Sequence, residues 1–137
     1  MLFRSQCSAR EFVDAVCHTA QQMLSNVRIV CEAASGEISN DTAVPLALIL
    51  NELLTNAAKY GAGDAGRSTV RVALTREGEG FTLSVEDEGP GFDLQAVRPR
   101  ASGLRLVEGL ARQIRGQFEV VRTPATRCVL RFKRANS

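Results

Sequence analysis

Apolar side chains recur every three or four residues in three stretches of the chain, which is the spacing of an amphipathic helix. The spacing predicts helices over about residues 10–25, 41–60 and 103–114. Ser8 and Glu11 occupy the two ends of a capping box, which favours a helix start there. For the second helix either Asn40 or Asp41 can provide the cap, and Pro45 is tolerated because it then falls in the first turn.

Shorter stretches rich in β-branched and aromatic residues alternate with these helices. They predict strands, bounded by turn residues, over 27–33, 69–76, 81–86, 117–122 and 127–133. Turns are expected at 37–40, at 77–80 between two strands of a hairpin, and at 123–126. Residues 93–101 predict a short mobile loop.

The size and composition indicate one ordinary globular domain spanning 1–137. With 45% hydrophobic and 23% charged residues and a net charge of +2, the chain shows no basic excess that would indicate nucleic-acid binding. It has no apolar run long enough to cross a membrane and no signal peptide, so we expect a cytoplasmic location without membrane contact. The scattered cysteines are interpreted as buried or half-buried reduced thiols: Cys7, Cys17, Cys31 and Cys128.

The second predicted helix carries polar side chains along one stripe. At 3.6 residues per turn Glu52, Asn56 and Lys59 lie on one side, while leucines and alanines occupy the rest. A carboxylate, a carboxamide and an ammonium would then point the same way. The plain alternative is a solvated helix face. His18, on the first helix, is more simply a surface or packed side chain than a phosphate acceptor.

A second informative stretch follows the hairpin: Asp87, Glu88, Gly89, Pro90, Gly91 and Phe92. Two glycines around a proline allow a sharp turn and a close approach of the backbone to a ligand. Asp87 would offer a carboxylate at the end of the strand. An ordinary acidic, glycine-rich turn accounts for these residues equally well.

Together, ExxxNAxKY on a helix, DxGxGF after a strand and GLRLVEGLARQIRG on a later helix resemble the ATP-binding domain of sensor histidine kinases. That domain is part of the superfamily that also contains gyrase and Hsp90, and the sequence looks most similar to the HWE type. The resemblance covers nearly the whole chain. It implies an α+β fold, a two-layer α/β sandwich of the Bergerat type, in which a mixed sheet carries helices on one face.

The resemblance also implies cofactors, ATP and Mg²⁺, and roles for the matching residues. Asn56 matches the family's metal ligand, and one amide oxygen suits hard Mg²⁺, which keeps waters and phosphate oxygens as its other ligands. Lys59 would meet phosphate oxygens, and Tyr60 would contact the nucleotide. Asp87 resembles the aspartate that accepts a hydrogen bond from the adenine amino group. Glu52 matches the glutamate that orients or deprotonates the nucleophile.

The remaining nucleotide-binding positions follow from the same resemblance: Gly89, Gly91, Gly103, Leu104 and Thr126. Three arginines are further candidates to neutralise phosphate, although a solvated surface side chain is the simpler interpretation of each: Arg98, Arg100 and Arg105. The sequence departs from the family at two tight turns. Ala101 replaces the first glycine of a GxG helix start, and Ala125 replaces the glycine before Thr126, so we expect weakened ATP affinity.

The family's dimerising hairpin, which carries the phosphoacceptor histidine, is not found in these 137 residues. We therefore expect a catalytic domain, a monomer in isolation, that phosphorylates a hairpin supplied upstream or in trans and thereby serves a response regulator. Autophosphorylation by this chain alone is not expected. Two alternatives stay open: an anti-sigma-factor type serine kinase, and a degenerate, nucleotide-free module that docks a response regulator.

Overall fold

A computed structural model of the protein describes residues 6–61, 68–87, 102–121 and 126–133. The helices are α1 (Ala9–Met23), α2 (Asn40–Asn56) and α3 (Ser102–Gln113), and a π-helical turn, Ala57–Gly61, continues α2. The strands are β1 (Gln6–Ser8), β2 (Val27–Ala33), β3 (Glu37–Ser39), β4 (Ser68–Glu77), β5 (Gly80–Asp87), β6 (Gln117–Val121) and β7 (Arg127–Lys133).

The principal sheet has five strands in the order β2-β4-β5-β7-β6. The pair β2–β4 is parallel and the other pairs are antiparallel, so the sheet is mixed. Every second residue of β5 is buried and those between are half-buried, because one face lies under the helices and the other is more open. The predicted α+β sandwich is confirmed.

The first helix forms as the sequence predicts. The Ser8 hydroxyl accepts a hydrogen bond from the Glu11 amide at 3.2 Å, which caps the helix and satisfies one of its unpaired donors. Val13, Cys17 and Ala20, spaced by three or four residues, are buried on its inner face. The helix begins and ends within two residues of its predicted bounds.

The start of the second helix differs from the prediction. The cap is Ser39, whose hydroxyl accepts from the Thr42 amide at 3.2 Å, and neither Asn40 nor Asp41 has that role. The expected turn at 37–40 is largely a strand, β3, which pairs with β1 and holds Ser39 in the extended backbone that a cap requires. Since the helix starts earlier, Pro45 lies in its second turn. The prediction that Pro45 falls in the first turn was wrong.

One edge of the large sheet, β2, is covered by α1. Arg10 Nε donates to the Ala33 carbonyl at 2.8 Å, and the Gln21 side chain bonds to the backbone of Val27 and Ile29 at 2.9 and 2.7 Å. Arg10 and Gln21 are eleven residues apart on one stripe of the helix. They satisfy backbone groups that an edge strand would otherwise present to solvent.

The third helix ends where Arg115 and Gly116 predict. Arg115 adopts a positive φ of 55°, and the Gly116 amide donates back to the Ala111 carbonyl at 2.8 Å. A Cβ on Gly116 would come within 2.9 Å of the Arg131 carbonyl, so only glycine fits here. This tight turn leads α3 directly into β6.

The four cysteines are free thiols, as expected: Cys17 and Cys128 are buried, and Cys7 and Cys31 are half-buried. Cys31 donates to the Asp14 carboxylate at 3.3 Å. A hydrogen bond with Cys17 raises the pKa of Cys31 well above its ordinary value, and burial and Asp14 add to that shift. Among the described ranges, no helix combines the length and the apolar character needed to cross a membrane.

Candidate functional site

The buried face of the sheet changes character along β5 and β7. At one end Phe81 and Phe132 stack with ring centroids 5.6 Å apart. The next two cross-strand pairs are Leu83–Leu130 and Val85–Cys128. Beyond them the Asp87 amide donates to the Thr126 carbonyl at 3.0 Å. Along these two strands, one aromatic pair is followed by two smaller apolar pairs and finally by a carboxylate and a hydroxyl.

The two polar residues at that end are as buried as the core. Asp87 is 2% exposed and Thr126 is 4% exposed. Burying a carboxylate costs free energy unless hydrogen bonds compensate, so a buried aspartate at the end of a strand indicates a site more than a stabilising contact. The sequence prediction that Asp87 ends a strand is confirmed.

Asn56 reaches the same place from α2. It is 6% exposed, and its Nδ2 atom has no hydrogen-bond partner within the described part of the chain. An unsatisfied buried amide costs about 1–3 kcal/mol, which a bound acceptor would recover. This side chain is therefore positioned for a partner that the described residues do not provide.

A cavity of about 10 Å³ separates these polar groups, which is room for about one water. It is lined by residues from α2, the π turn, α3 and the adjoining ends of β5 and β7: Leu53, Asn56, Ala57, Val85, Asp87, Leu104, Thr126 and Cys128. Burial raises the pKa of Cys128 to about 12, which keeps this wall of the cavity uncharged. The cavity itself can hold a single small polar group, such as an amino group of a larger ligand.

The polar stripe that the sequence predicts on α2 is only partly retained. Glu52 is half-buried, Asn56 is buried and Lys59 is exposed, so the three side chains do not share one environment. The helix widens into the π turn immediately after Asn56, and the Ala57 amide approaches the carbonyls of both Leu53 and Leu54. Lys59 therefore leaves the helix at a different angle from the one that a regular 3.6-residue period predicts.

The other predicted site residues divide into two groups. Leu104 lines the cavity, Arg105 is exposed on α3, and the backbones of Tyr60 and Gly103 belong to the π turn and α3. The remaining positions lie outside the described residues: Gly89, Gly91, Arg98, Arg100, Ala101 and Ala125. The expected mobile loop at 93–101 lies outside them too.

Apart from Leu104, sequence reasoning missed the apolar part of the cavity. Val85 and Cys128 face each other in the β5–β7 register, one cross-strand step before Asp87 and Thr126. Once Asp87 is assigned to a strand end, alternation along β5 could have placed Val85 beside it. Cys128 could be found only from the pairing of two strands that are distant in sequence.

A mixed five-stranded sheet under helices, with a buried carboxylate, hydroxyl and amide around one small cavity, defines an α+β domain with a buried polar site. The sequence matches the Histidine kinase-like ATPase domain family over residues 8–130. The chain belongs to that family.

Individual relatives agree with this assignment. The blue-light-activated histidine kinase 1 of Erythrobacter litoralis (strain HTCC2594) is 29% identical over 94 residues, which are 67% of this chain and 26% of that protein. The chain thus matches about a quarter of that relative's length.

Two solved structures share the fold. The histidine kinase domain of the Erythrobacter litoralis EL346 blue-light activated histidine kinase superposes with a TM-score of 0.84 at 18% identity, covering 98% of this chain and 66% of that one. The nucleotide-free catalytic domain of histidine kinase ThkA superposes with a TM-score of 0.80 at 14% identity, and each chain is covered completely.

Proposed function

We propose that this chain binds Mg-ATP and, as the catalytic domain of a two-component sensor histidine kinase of the HWE type or a close relative, transfers the γ-phosphoryl group to a histidine. The observation that carries the proposal is the buried trio Asp87, Thr126 and Asn56 around a cavity sized for one small polar group. The family to which the chain belongs supports nucleotide use.

In this proposal Asp87 selects the base. Its carboxylate would accept a hydrogen bond from the adenine amino group, and guanine carries a carbonyl at that position, which a carboxylate repels. Thr126 would donate or accept beside it, and the apolar wall of Val85, Leu104 and Cys128 would contact the ring. Gly89 and Gly91 would allow the backbone to approach the base.

The phosphate end of the site belongs to α2 and the π turn. The Asn56 amide oxygen would be a Mg²⁺ ligand, with water and phosphates as the others, and its Nδ2, unpaired within the described ranges, would donate to an oxygen of the nucleotide or of a metal-bound water. The metal would neutralise phosphate charge. Lys59 would contact phosphate oxygens from its exposed position, Tyr60 and the start of α3 at Gly103 would border the nucleotide, and Glu52 would orient the attacking histidine.

The partners follow from this chemistry. The acceptor would be a histidine on a helical hairpin, upstream or in trans, and the phosphoryl group would pass on to a response regulator. We propose that the domain is monomeric alone, acts in the cytoplasm and does not autophosphorylate without that hairpin. The buried trio does not support the alternative function, a nucleotide-free docking module, since docking does not require these buried polar residues.

Titration calorimetry with a non-hydrolysable ATP analogue tests the first half of this proposal. We expect binding that tightens with Mg²⁺, and an Asp87→Asn variant should lose about 10- to 100-fold in affinity, because a hydrogen bond to a charged group contributes about 1.5–3 kcal/mol. Glu86→Gln is the matched control, since Glu86 is the neighbouring carboxylate on the more open face of β5. No binding at millimolar nucleotide would contradict the proposal.

Phosphotransfer needs a separate assay. The chain is mixed with γ-labelled ATP and a panel of helical hairpin domains that carry the phosphoacceptor histidine of sensor histidine kinases. An acid-labile label on the hairpin, lost in a Glu52→Gln variant, supports a histidine kinase. An acid-stable label would instead indicate transfer to serine, and complete absence of label would contradict the kinase proposal.

A further inference from the structure

The π turn receives a hydrogen bond from a distant part of the chain. Asn26 Nδ2 donates to the Ala58 carbonyl at 2.7 Å, across 32 residues of sequence. Asn26 lies in the short turn between α1 and β2, whereas Ala58 is the second residue of the π turn. This bond is partly buried and shorter than most bonds of its kind.

The turn that carries Asn26 is itself fixed by one side chain. Gln21 Nε2 donates to the carbonyls of Leu24 and Val27 at 3.2 and 2.9 Å, and Gln21 Oε1 accepts from the Ile29 amide at 2.7 Å. These three bonds lie on both sides of Asn26. Val27, the next residue, is completely buried and anchors the turn in the core. Asn26 is therefore held on a short, well-supported turn.

A π turn needs such support. It is rarer than a regular helical turn, and an unusual backbone persists only where the surroundings over-determine it. The Ala58 carbonyl and the Lys59 nitrogen belong to the same planar peptide unit. A hydrogen bond that fixes the carbonyl therefore also fixes the direction in which the chain leaves toward the Lys59 Cα and its side chain.

We propose that Asn26 is a positioning residue for the phosphate-facing end of the nucleotide site. It acts by holding the Ala58–Lys59 peptide unit, and it sets the direction from which Lys59 approaches the phosphates. The inference rests on the proposed function, since it assigns Lys59 to phosphate. It adds a residue that lies outside the nucleotide cavity and outside the motifs that the sequence indicates.

The base end of the site should depend on Asn26 much less than the phosphate end, although Ala57 of the π turn lines the cavity. Asp87 ends β5 and Thr126 lies immediately before β7, and none of the hydrogen bonds described for the α1–β2 turn reaches either place. Loss of the Asn26 bond should therefore weaken binding of the triphosphate and leave binding of the nucleoside intact. A general loss of structure would weaken both.

The test compares Asn26→Ala, Asn26→Asp and Arg10→Ala by titration calorimetry with Mg-ATP and with adenosine. Asn26→Asp keeps the size but turns the donor into an acceptor that repels the carbonyl. Arg10→Ala is the matched control, because it also removes a side-chain-to-backbone bond. That bond joins α1 to the Ala33 carbonyl of β2 at 2.8 Å, and α1 and β2 are the two elements that flank Asn26. Thermal melts establish that each variant is folded.

Both Asn26 variants should weaken Mg-ATP binding by about 3- to 10-fold, as expected for the loss of one hydrogen bond, and change adenosine binding by less than about twofold. Arg10→Ala should change neither. In a Lys59→Ala background, Asn26→Ala should cause no further loss, because its effect passes through Lys59. The carbonyl ¹³C shift of Ala58, measured without nucleotide, should move in both Asn26 variants and stay constant in Arg10→Ala.

The proposal would be overturned by equal losses for ATP and adenosine, by a loss in Arg10→Ala as large as in Asn26→Ala, or by the same additional loss in the Lys59→Ala background. Should wild-type protein bind no ATP, the proposed function fails and this inference fails with it. Should wild-type bind ATP while both folded Asn26 variants bind it equally well, only the positioning role is refuted.

Discussion

The two ends of one sheet face make different use of burial. At one end Phe81 and Phe132 pair across β5 and β7, and at the other Asp87 ends β5 and Thr126 immediately precedes β7. All four side chains are less than 5% exposed. At the first end burial removes apolar surface from water and stabilises the fold. At the second it places a carboxylate and a hydroxyl where they are costly. Burial alone therefore does not reveal what a residue contributes, whereas burial together with polarity indicates a site.

The largest expected effect comes from the apolar end. Leu83→Ala removes a completely buried side chain from the centre of the face and should lower the free energy of unfolding by about 2–5 kcal/mol. Nucleotide affinity of the folded fraction should stay within about twofold of wild type. Urea unfolding measures the first quantity, with Ser84→Ala on the opposite face as control. A large loss of nucleotide affinity without a loss of stability would mean that Leu83 contributes to the site and not to the stability of the fold.

The next largest effect is an increase in stability and concerns Asn56. Asn56→Leu replaces an amide whose Nδ2 has no partner in the described chain by an apolar group of similar size. Stability should rise by about 1–3 kcal/mol, the cost of an unsatisfied buried group, while the Mg²⁺ dependence of ATP binding disappears. The two readouts are urea unfolding and calorimetry with and without Mg²⁺. A destabilised variant would show that Asn56 has a structural role instead.

Thr126→Val tests the polar end with a smaller change. The variant keeps the shape of the side chain but removes its hydroxyl, so ATP affinity should fall by about 3- to 10-fold, the equivalent of one hydrogen bond. Stability should change by less than about 1 kcal/mol. Unchanged affinity in calorimetry would remove Thr126 from the proposed base pocket.

The smallest effect lies at the boundary between the two ends, at Cys128. Burial raises the pKa of its thiol to about 12 in the folded protein. Above pH 9 the unfolded chain releases this proton while the folded chain keeps it, so stability must fall as the pH rises. Between pH 8 and 10 wild type should lose about 1 kcal/mol more than Cys128→Ala. Urea unfolding at both pH values measures this difference, and equal losses would mean that the thiol is not effectively buried.

The long elements could be predicted because their patterns are local. Residues 27–33 and 127–133 match β2 and β7 in both bounds, since a short apolar run with β-branched residues between turn residues is a clear local signal. The strands β1 and β3 have three residues each, too few to show alternation, and were missed. Their pairing in turn decides that Ser39 caps α2, a choice among three adjacent cap-forming residues that local sequence alone could not make.

The candidate site was predictable in its polar residues and not in its geometry. Asp87 and Asn56 carry functional groups that stand out in sequence motifs. The π turn follows no period visible in the sequence, and its hydrogen bond to Asn26 joins residues 32 positions apart. The opposing contact of Val85 and Cys128 likewise depends on strand register. Tertiary pairing determined these features, so only the structure could provide them.

Helix α1 covers the edge strand β2 and thereby limits where the sheet can add a further strand. Gln21 and Arg10 occupy backbone positions on the outer side of β2 that an incoming strand would need. A strand from another molecule would have to displace both side chains before it could pair there. Any extension of this sheet by an added strand, whether in aggregation or in assembly, should therefore start from the β6 side.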